Sequence, residues 1–358
     1  MVERRGASVE QVHRGLTGRR VGAVAHRGRD HAFGDFLSEI RGKAQRSRRA
    51  NDAPTPSDNS FACCSAMRQL CRSECGLGGQ LVPCRSLRLE DGRCRLNDQA
   101  NEVTEIDPAA GRPGRVIPVA DPYNLYFTPD GRYAVVVAEA LQRLDFRDPH
   151  TMALRFSLPT PGCRGIDHAD FSGDGRYAIF SCEFSGRLIK IDMVAHRILG
   201  TVHLTAPSSP QDVKTAPDGH LFYVADQDAN GVWLIDGGTF AVTGFVHTGR
   251  GAHGLYVSRD SRDLYVTNRL GQSVSVVSFV RHRVVATWTI PHGTPDMGGL
   301  SIDGNTLWLS GRYSREVYAS DTRTGKLLAR IPVGVQPHGL CVYPQPGRYS
   351  LGHTGVFR

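Results

Sequence analysis

The sequence has no apolar run of about 18 residues, so no membrane-spanning helix is expected. The arginines near its start (Arg4, Arg5, Arg14, Arg19 and Arg20) lead into no apolar segment, so a signal-peptide pattern is missing as well. Phosphate-binding loops, dinucleotide fingerprints and Ser/His/Asp nucleophile motifs are absent from residues 99–358, which removes the common signatures of nucleotide-dependent and serine-hydrolase chemistry. Six of the nine cysteines (Cys63, Cys64, Cys71, Cys75, Cys84, Cys94) precede residue 99, and their spacing fits no zinc pattern well. Only 22% of residues are charged, and the basic excess is local. Residues 1–98 hold 18 Lys and Arg against 11 Asp and Glu, whereas residues 99–358 hold 25 against 24. The larger part is therefore near neutral, and a phosphate-binding groove for nucleic acid is not expected there.

What the chain does have is glycine (40 residues), proline (20) and a repeat. From residue 121 a unit returns every 41 or 44 residues. Its openings read DPYNLYFTPDG (121–131), GIDHADFSGDG (165–175), PQDVKTAPDG (210–219), GAHGLYVSRDS (251–261), PDMGGLSIDG (295–304) and QPHGLCVYPQP (336–346). Second strands follow, such as YAVVVAEA (133–140) and DLYVTNRL (263–270), then third and fourth strands such as GVWLID (231–236) and AVTGFVH (241–247). Apolar runs and alternations rich in Val, Ile, Tyr and Phe suit strands packed between sheets. The Asp-Gly clusters supply turns, because both residues tolerate positive φ. Four strands in roughly 43 residues is the period of a propeller blade, and no blade buries both faces alone.

Tyr265-Val266-Thr267-Asn268, together with the S/T-x-D-G turns, resembles the YVTN β-propeller repeat family, which includes YncE-like proteins. The resemblance covers residues 99–346, and PQPGRYSLGHTG (344–355) is similar to the end of actinobacterial seven-bladed members. It implies an all-β, seven-bladed propeller of four-stranded antiparallel blades. Members of that superfamily are commonly binding or scaffold proteins, and its structural relatives include the nitrous oxide reductase propeller, haem-binding propellers and lactonases. Fold therefore leaves function open.

Three parts are expected: a basic, Cys- and Arg-rich leader (1–98), the propeller (99–346) and a C-terminal tail (347–358). Residues 99–119 read as the third and fourth strands of one blade, five blades follow, and residues 338–343 begin a closing blade. Propellers close by mixing strands from the two ends of the chain in one blade. The missing strands would have to come from the leader. RGKAQRSRRANDAPTPSDNS (41–60) reads as disordered, and only residues 80–83 and the stretch up to Asn97 stand where strands are needed. The leader is read either as a divergent natural region or as out-of-frame sequence ahead of a genuine propeller. Localisation is left open, with an extracytoplasmic site allowed.

Aligned on their turns, the openings give one polar column: Asn124, His168, Asp212, His253, Met297 and His338. The residues just before are Tyr123, Asp167, Gln211, Ala252, Asp296 and Pro337. Equivalent innermost-strand positions converge on the propeller axis. At the second-strand ends a matching column holds Glu139, Glu183, Gln227, Arg269 and Arg312, carboxylates on earlier blades and arginines on later ones. Antiparallel strands bring both columns to the same mouth, where an oriented polar or anionic ligand would fit. His168, His253 and His338, supplemented by Asp212 and Met297, are a donor set for copper, iron or zinc. Asn124, Asp167, Glu139, Glu183, Gln227, Arg269, Asp296 and Arg312 would then line the ligand site. Equally, the imidazoles can serve only to satisfy backbone groups around the funnel. Asp167 and Asp296 are candidate acid/base groups beside His168 and His338. Cys163 and Cys182 fall at the same mouth, either as a disulfide or as two packed thiols. Trp233, Trp288 and Trp308 read as blade packing. The expected function is a monomeric binding protein for a metal ion or small polar ligand. The alternatives are a metal-dependent hydrolase or oxidoreductase using the same funnel, or a protein-binding scaffold with an inert centre.

Overall fold

A computed structural model describes residues 20–23, 94–97, 101–107, 112–343, 350–351 and 356–357. They form seven antiparallel sheets in a propeller. Blade 1 has three strands, Cys94–Asn97, Glu102–Asp107 and Arg112–Pro118. Blade 2 runs outward through Asn124–Phe127, Ala134–Ala138, Arg143–Arg147 and Leu154–Pro159. Blade 3 begins at Ile166–Phe171 and Tyr177–Cys182, blade 4 at Pro210–Thr215 and Leu221–Asp226. Blade 5 begins at Ala252–Val257 and Asp263–Asn268, blade 6 at Pro295–Leu300 and Thr306–Gly311. Blades 3 to 6 have four strands each. Among the described residues no helix is long and apolar enough to cross a membrane.

At the ends of the chain the strand expected in the stretch up to Asn97 is present, and further pairings were not foreseen. Cys94–Asn97 pairs with Glu102–Asp107, so blade 1 gains a second strand just upstream of the expected boundary. Arg20–Ala23 pairs with Leu340–Tyr343 and supplies a strand to blade 7, which nothing in the leader had signalled. In the tail, Ser350–Leu351 pairs with Asn124–Phe127 on the inner edge of blade 2, followed by Val356–Phe357. The remaining leader residues, including the low-complexity stretch and Cys63, Cys64, Cys71, Cys75 and Cys84, lie outside the described residues.

Burial follows the blade plan. The inner strands of blades 3 and 4 are buried throughout, while the outer strand Arg197–His203 alternates exposed and half-buried positions. An inner strand is covered on both faces by neighbouring blades, whereas an outer strand reaches the rim. An apolar cluster fills each interface between consecutive blades. Tyr126, Phe171 and Phe180 pack blade 2 on blade 3, for example, and Tyr256, Leu300 and Leu309 pack blade 5 on blade 6. The S/T-x-D-G turns work as read: Ser172 Oγ donates to Asp174 Oδ1 at 2.7 Å, and Gly175 takes a φ of 70°.

The inner strands are also clasped by buried polar groups. Tyr126 Oη accepts the Ala169 amide (2.8 Å), joining blade 2 to blade 3. Asp170 Oδ2 accepts the Thr215 amide (2.8 Å), and Asp212 Oδ2 the Leu255 amide (2.9 Å). Tyr256 Oη accepts the Gly298 amide (2.6 Å), and Ser310 Oγ donates to the His338 carbonyl. An inner strand has an unpaired edge facing the channel, and these side chains satisfy part of it from the blade alongside.

Candidate functional site

The site begins with a backbone irregularity. In blades 3 to 6 the ladder between the first and second strands shifts by one residue near the funnel mouth. In blade 3, Ile166 faces Cys182 and Ala169 faces Phe180, so Asp167 and His168 together oppose Ser181. Likewise Gln211 and Asp212 oppose Ala225, His253 and Gly254 oppose Thr267, and Asp296 and Met297 oppose Ser310. This is a β-bulge in each blade, which re-aims the two extra side chains. The bulge is held from the second strand: Ser181 Oγ accepts the His168 amide (3.1 Å), and Thr267 Oγ1 the Gly254 amide (2.7 Å).

The bulge corrects the column read from the sequence. His253 occupies the first bulge position, level with Asp167, Gln211 and Asp296, and Gly254 is level with His168, Asp212 and Met297. Counting from the turns shifted blade 5 by one. The second position largely serves the ring itself. Asp212 Oδ1 accepts its neighbour Val213's amide (2.9 Å), and Oδ2 clasps blade 5. Asn124 accepts the Leu125 amide and donates to Tyr126 Oη, both at 2.9 Å. Met297 Sδ receives Tyr256 Oη at 3.6 Å. Gly254 is needed there, because a Cβ would lie 2.5 Å from Tyr256 Oη.

The first position, joined by His168 from the second, carries the chemistry. Tyr123, His168, His253 and His338 form a succession of rings, with centroids 6.3, 6.3 and 5.8 Å apart. Asp296 gathers the later blades. Its Oδ1 accepts Arg269 Nη2 (2.8 Å) and Nε (3.1 Å) and lies 3.0 Å from His253 Nδ1. Its Oδ2 is 3.8 Å from His338 Nε2. Arg269 further donates to Gln227 Oε1 (3.0 Å) and meets His253 Nε2. On the earlier blades, His168 Nδ1 is 2.5 Å from Asp167 Oδ1. Arg269, Asp296, Asp167, His168 and His253 are all buried. The acid/base pairing thus differs from the sequence reading at one point: Asp167 does meet His168, but Asp296 meets His253 and Arg269 before His338.

Burial opposes ionisation of Asp296, yet Arg269 and His253 more than offset it and hold the carboxyl well below the usual carboxylate range. Burial also disfavours a charged imidazole at His168, but Asp167 beside it raises the pKa above its ordinary value. At His253 burial and the Arg269 charge act together and lower it. Burial, reinforced by Asp167, Glu139 and Glu183, keeps the Tyr123 phenol protonated far above its ordinary value.

The second-strand column stands where expected. Glu183, Gln227 and Arg269 each directly follow their strand and donate their amides to Gly165, Ser209 and Gly251. Arg269 and Arg312 are buried and Glu139 and Glu183 half-buried, a contrast the sequence did not foretell. Tyr313 was missed: its ring centroid lies 6.0 Å from the Arg269 guanidinium and 5.8 Å from that of Arg312. Its only sequence signal was its place beside Arg312. Cys163 and Cys182 are joined as a disulfide at the same mouth. The three tryptophans pack against blade cores as read.

For a metal, the cluster is His253, Asp296 and His338, whose nearest ligand atoms lie within 4.8 Å of one another. His168, Asp212 and Met297 are not part of it. Arg269 already stands on both His253 Nε2 and Asp296 Oδ1. A guanidinium does not lose its proton, so an ion would have to displace it. As arranged, the residues do not fit a copper, iron or zinc ion.

A family model described as YncE-like β-propeller matches residues 94–347. No curated protein matches the chain in sequence. Among solved structures, virginiamycin B lyase from Staphylococcus aureus aligns with a TM-score of 0.57 at 14% identity, over 69% of this chain and 84% of that one. A catalytically inactive histidine-to-alanine variant of that lyase, with quinupristin, gives 0.55 at 14%, over 66% and 78%. Dihydro-heme d1 dehydrogenase NirN in complex with DHE gives 0.52 at 14%, over 74% and 69%. At this identity the likeness is one of fold. The family match spans most of the chain and every blade from the first to the sixth, and the protein belongs to the YncE-like β-propeller family.

Proposed function

We propose that this propeller is a binding protein whose funnel mouth takes a small polar ligand. One observation carries the reading. Asp167, His168, His253, Arg269, Asp296, Arg312 and His338 meet at one mouth, each no more than 4% exposed. Removing an ion from water costs several kcal/mol, and packed apolar side chains would serve stability as well. The clasps between blades are made mainly by other residues, so this concentration of charge is surplus to holding the ring. Two of the structures alike in fold are complexes, one with quinupristin and one with DHE.

The test is native mass spectrometry of protein purified under mild conditions, followed by a thermal-shift screen of polar metabolites. A small molecule released on denaturation, or a saturable shift lost in Arg312→Ala, is the expected result. Neither a released molecule nor any shift would leave the inert-centre scaffold.

The His253, Asp296 and His338 cluster favours a second reading, a metal site formed once Arg269 swings away. Elemental analysis of wild type and a His168→Ala/His253→Ala/His338→Ala variant decides it. Near-stoichiometric copper, iron or zinc confined to wild type supports the metal, and turnover by that form would argue for an enzyme. Absence of metal after incubation with all three salts removes it.

A further inference from the structure

The side-chain clasps pass around the ring from blade to blade: 2 to 3, 3 to 4, 4 to 5, 5 to 6, and from Ser310 of blade 6 to His338. Blade 1 has no first strand among the described residues, so blade 2 has no inner strand behind it to clasp its own. Its edge can be followed atom by atom. Thr128 gives its amide to the Tyr133 carbonyl of the second strand (3.0 Å). Alternation then turns the Tyr126 amide the same way and the Phe127 amide into the channel. In blade 3 the equivalent amide, that of Phe171, goes to Asp170 Oδ1 (2.8 Å). Blade 2 has Tyr126 in the place of Asp170, and its hydroxyl is spent on Ala169 of blade 3. The Phe127 edge therefore needs a partner from outside the blade.

The tail strand stands there. Leu351 lies opposite Tyr126 in an antiparallel pair, which sets Ser350 against Phe127. Val356–Phe357 pairs with the far side of Ser350–Leu351. Neighbouring strands lie about 4.8 Å apart, so the two tail strands carry blade 2 about 10 Å further toward the axis. We propose that this inner edge is a strand-docking site inside the channel, and that its occupant is the chain's own tail, held as a detachable latch. Main-chain hydrogen bonds give an added strand its affinity. Each tail strand is two residues long, against four to seven in the blades, and so short a ladder is marginal by itself. The latch therefore opens without unfolding a blade. Because it runs antiparallel to Asn124–Phe127, Ser350–Leu351 points toward the funnel mouth, and its release opens the channel beside the polar site.

The experiment is amide hydrogen exchange, read residue by residue by NMR, on the full chain and on Ser350→Pro. Proline has no amide to give to the ladder. Phe127 should exchange roughly tenfold or more faster in the variant, while Phe171, held by Asp170 within blade 3, stays unchanged. A synthetic peptide of residues 344–358 should restore the protection, and the same peptide carrying Ser350→Pro should not. Circular dichroism confirms that the variant folds. Should it not fold, wild type alone decides: the Ser350 amide exchanges roughly tenfold more slowly in the protein than in the free peptide if the tail is docked, and at the same rate if it is not. Unchanged exchange at Phe127, equal loss of protection at Phe171, or a peptide without effect overturns the docking edge. A wild-type dimer by light scattering that Ser350→Pro returns to monomer would give the edge to the tail of a second copy and overturn the latch.

Discussion

Two histidine–aspartate pairs face the same funnel, and their imidazole pKa values shift in opposite directions, His168 upward and His253 downward. His168 Nδ1 lies 2.5 Å from Asp167, its neighbour in the same bulge. His253 Nδ1 lies 3.0 Å from Asp296, which comes from the next blade. Burial pushes both imidazoles toward neutrality. Asp167 wins at His168, whereas at His253 the same type of partner loses because Arg269 has claimed it. Two unit charges 4 Å apart interact by about 4 kcal/mol at an effective dielectric constant of 20, and one pKa unit is only about 1.4 kcal/mol. One additional guanidinium is therefore enough to reverse the sign. A buried pair has no fixed protonation state of its own; the third charge sets it.

The largest break in this comparison is Asp296→Ala. It leaves Arg269 buried without its carboxylate and should cost about 3–5 kcal/mol in urea unfolding. Next comes the covalent difference between the two sides: only the His168 blade carries a disulfide among the described residues. Replacing both Cys163 and Cys182 with Ala opens a cross-link of sequence separation 19 and should cost about 3 kcal/mol in the same assay. Arg269→Gln sharpens the comparison without deleting either pair. By NMR titration the His253 pKa should rise across its ordinary value of 6.5 while that of His168 stays above it; an unmoved His253 would remove the arginine from the account.

The smallest effect is in stability against pH. The raised pKa of His168 contributes stability that is full below 6.5 and is lost as pH climbs through the folded value. The lowered pKa of His253 acts on the other side: stability is full above 6.5 and declines as pH falls from there toward the folded value. The two together put a local maximum near 6.5. His168→Gln should flatten the alkaline limb, and His253→Gln the acid limb, in denaturation midpoints measured from pH 5 to 8.

Most of the blade architecture was legible because the period, the turns and the alternation are written in residue types. The off-by-one at blade 5 was not. A bulge is a ladder event, and His253-Gly254 looks identical in either register until the partner strand is placed. Asp212 and Met297 have the chemistry of ligands, yet their atoms are taken by Leu255 and Tyr256 of blade 5, on one side of each. No single-strand pattern reports that. Asp167 beside His168 was readable as a neighbour pair, whereas Asp296 meeting His253 joins residues from different blades. Arg20–Ala23 is four residues long, too short for alternation to distinguish it from a loop.

The clasps between inner strands bear on how such a ring can evolve. Blades 2 and 5 offer a tyrosine hydroxyl to the next strand, blades 3 and 4 an aspartate, and blade 6 a serine. The three side-chain types differ in reach, and the serine asks for a carbonyl where the tyrosines and aspartates take an amide. A blade copied into another slot would bring the wrong fastener to its neighbour and leave a buried amide or carbonyl without a mate. Although the repeat looks interchangeable in sequence, its units are keyed to their places. Duplication or shuffling within this propeller would have to rewrite the seam on both sides of the moved blade before the ring could close.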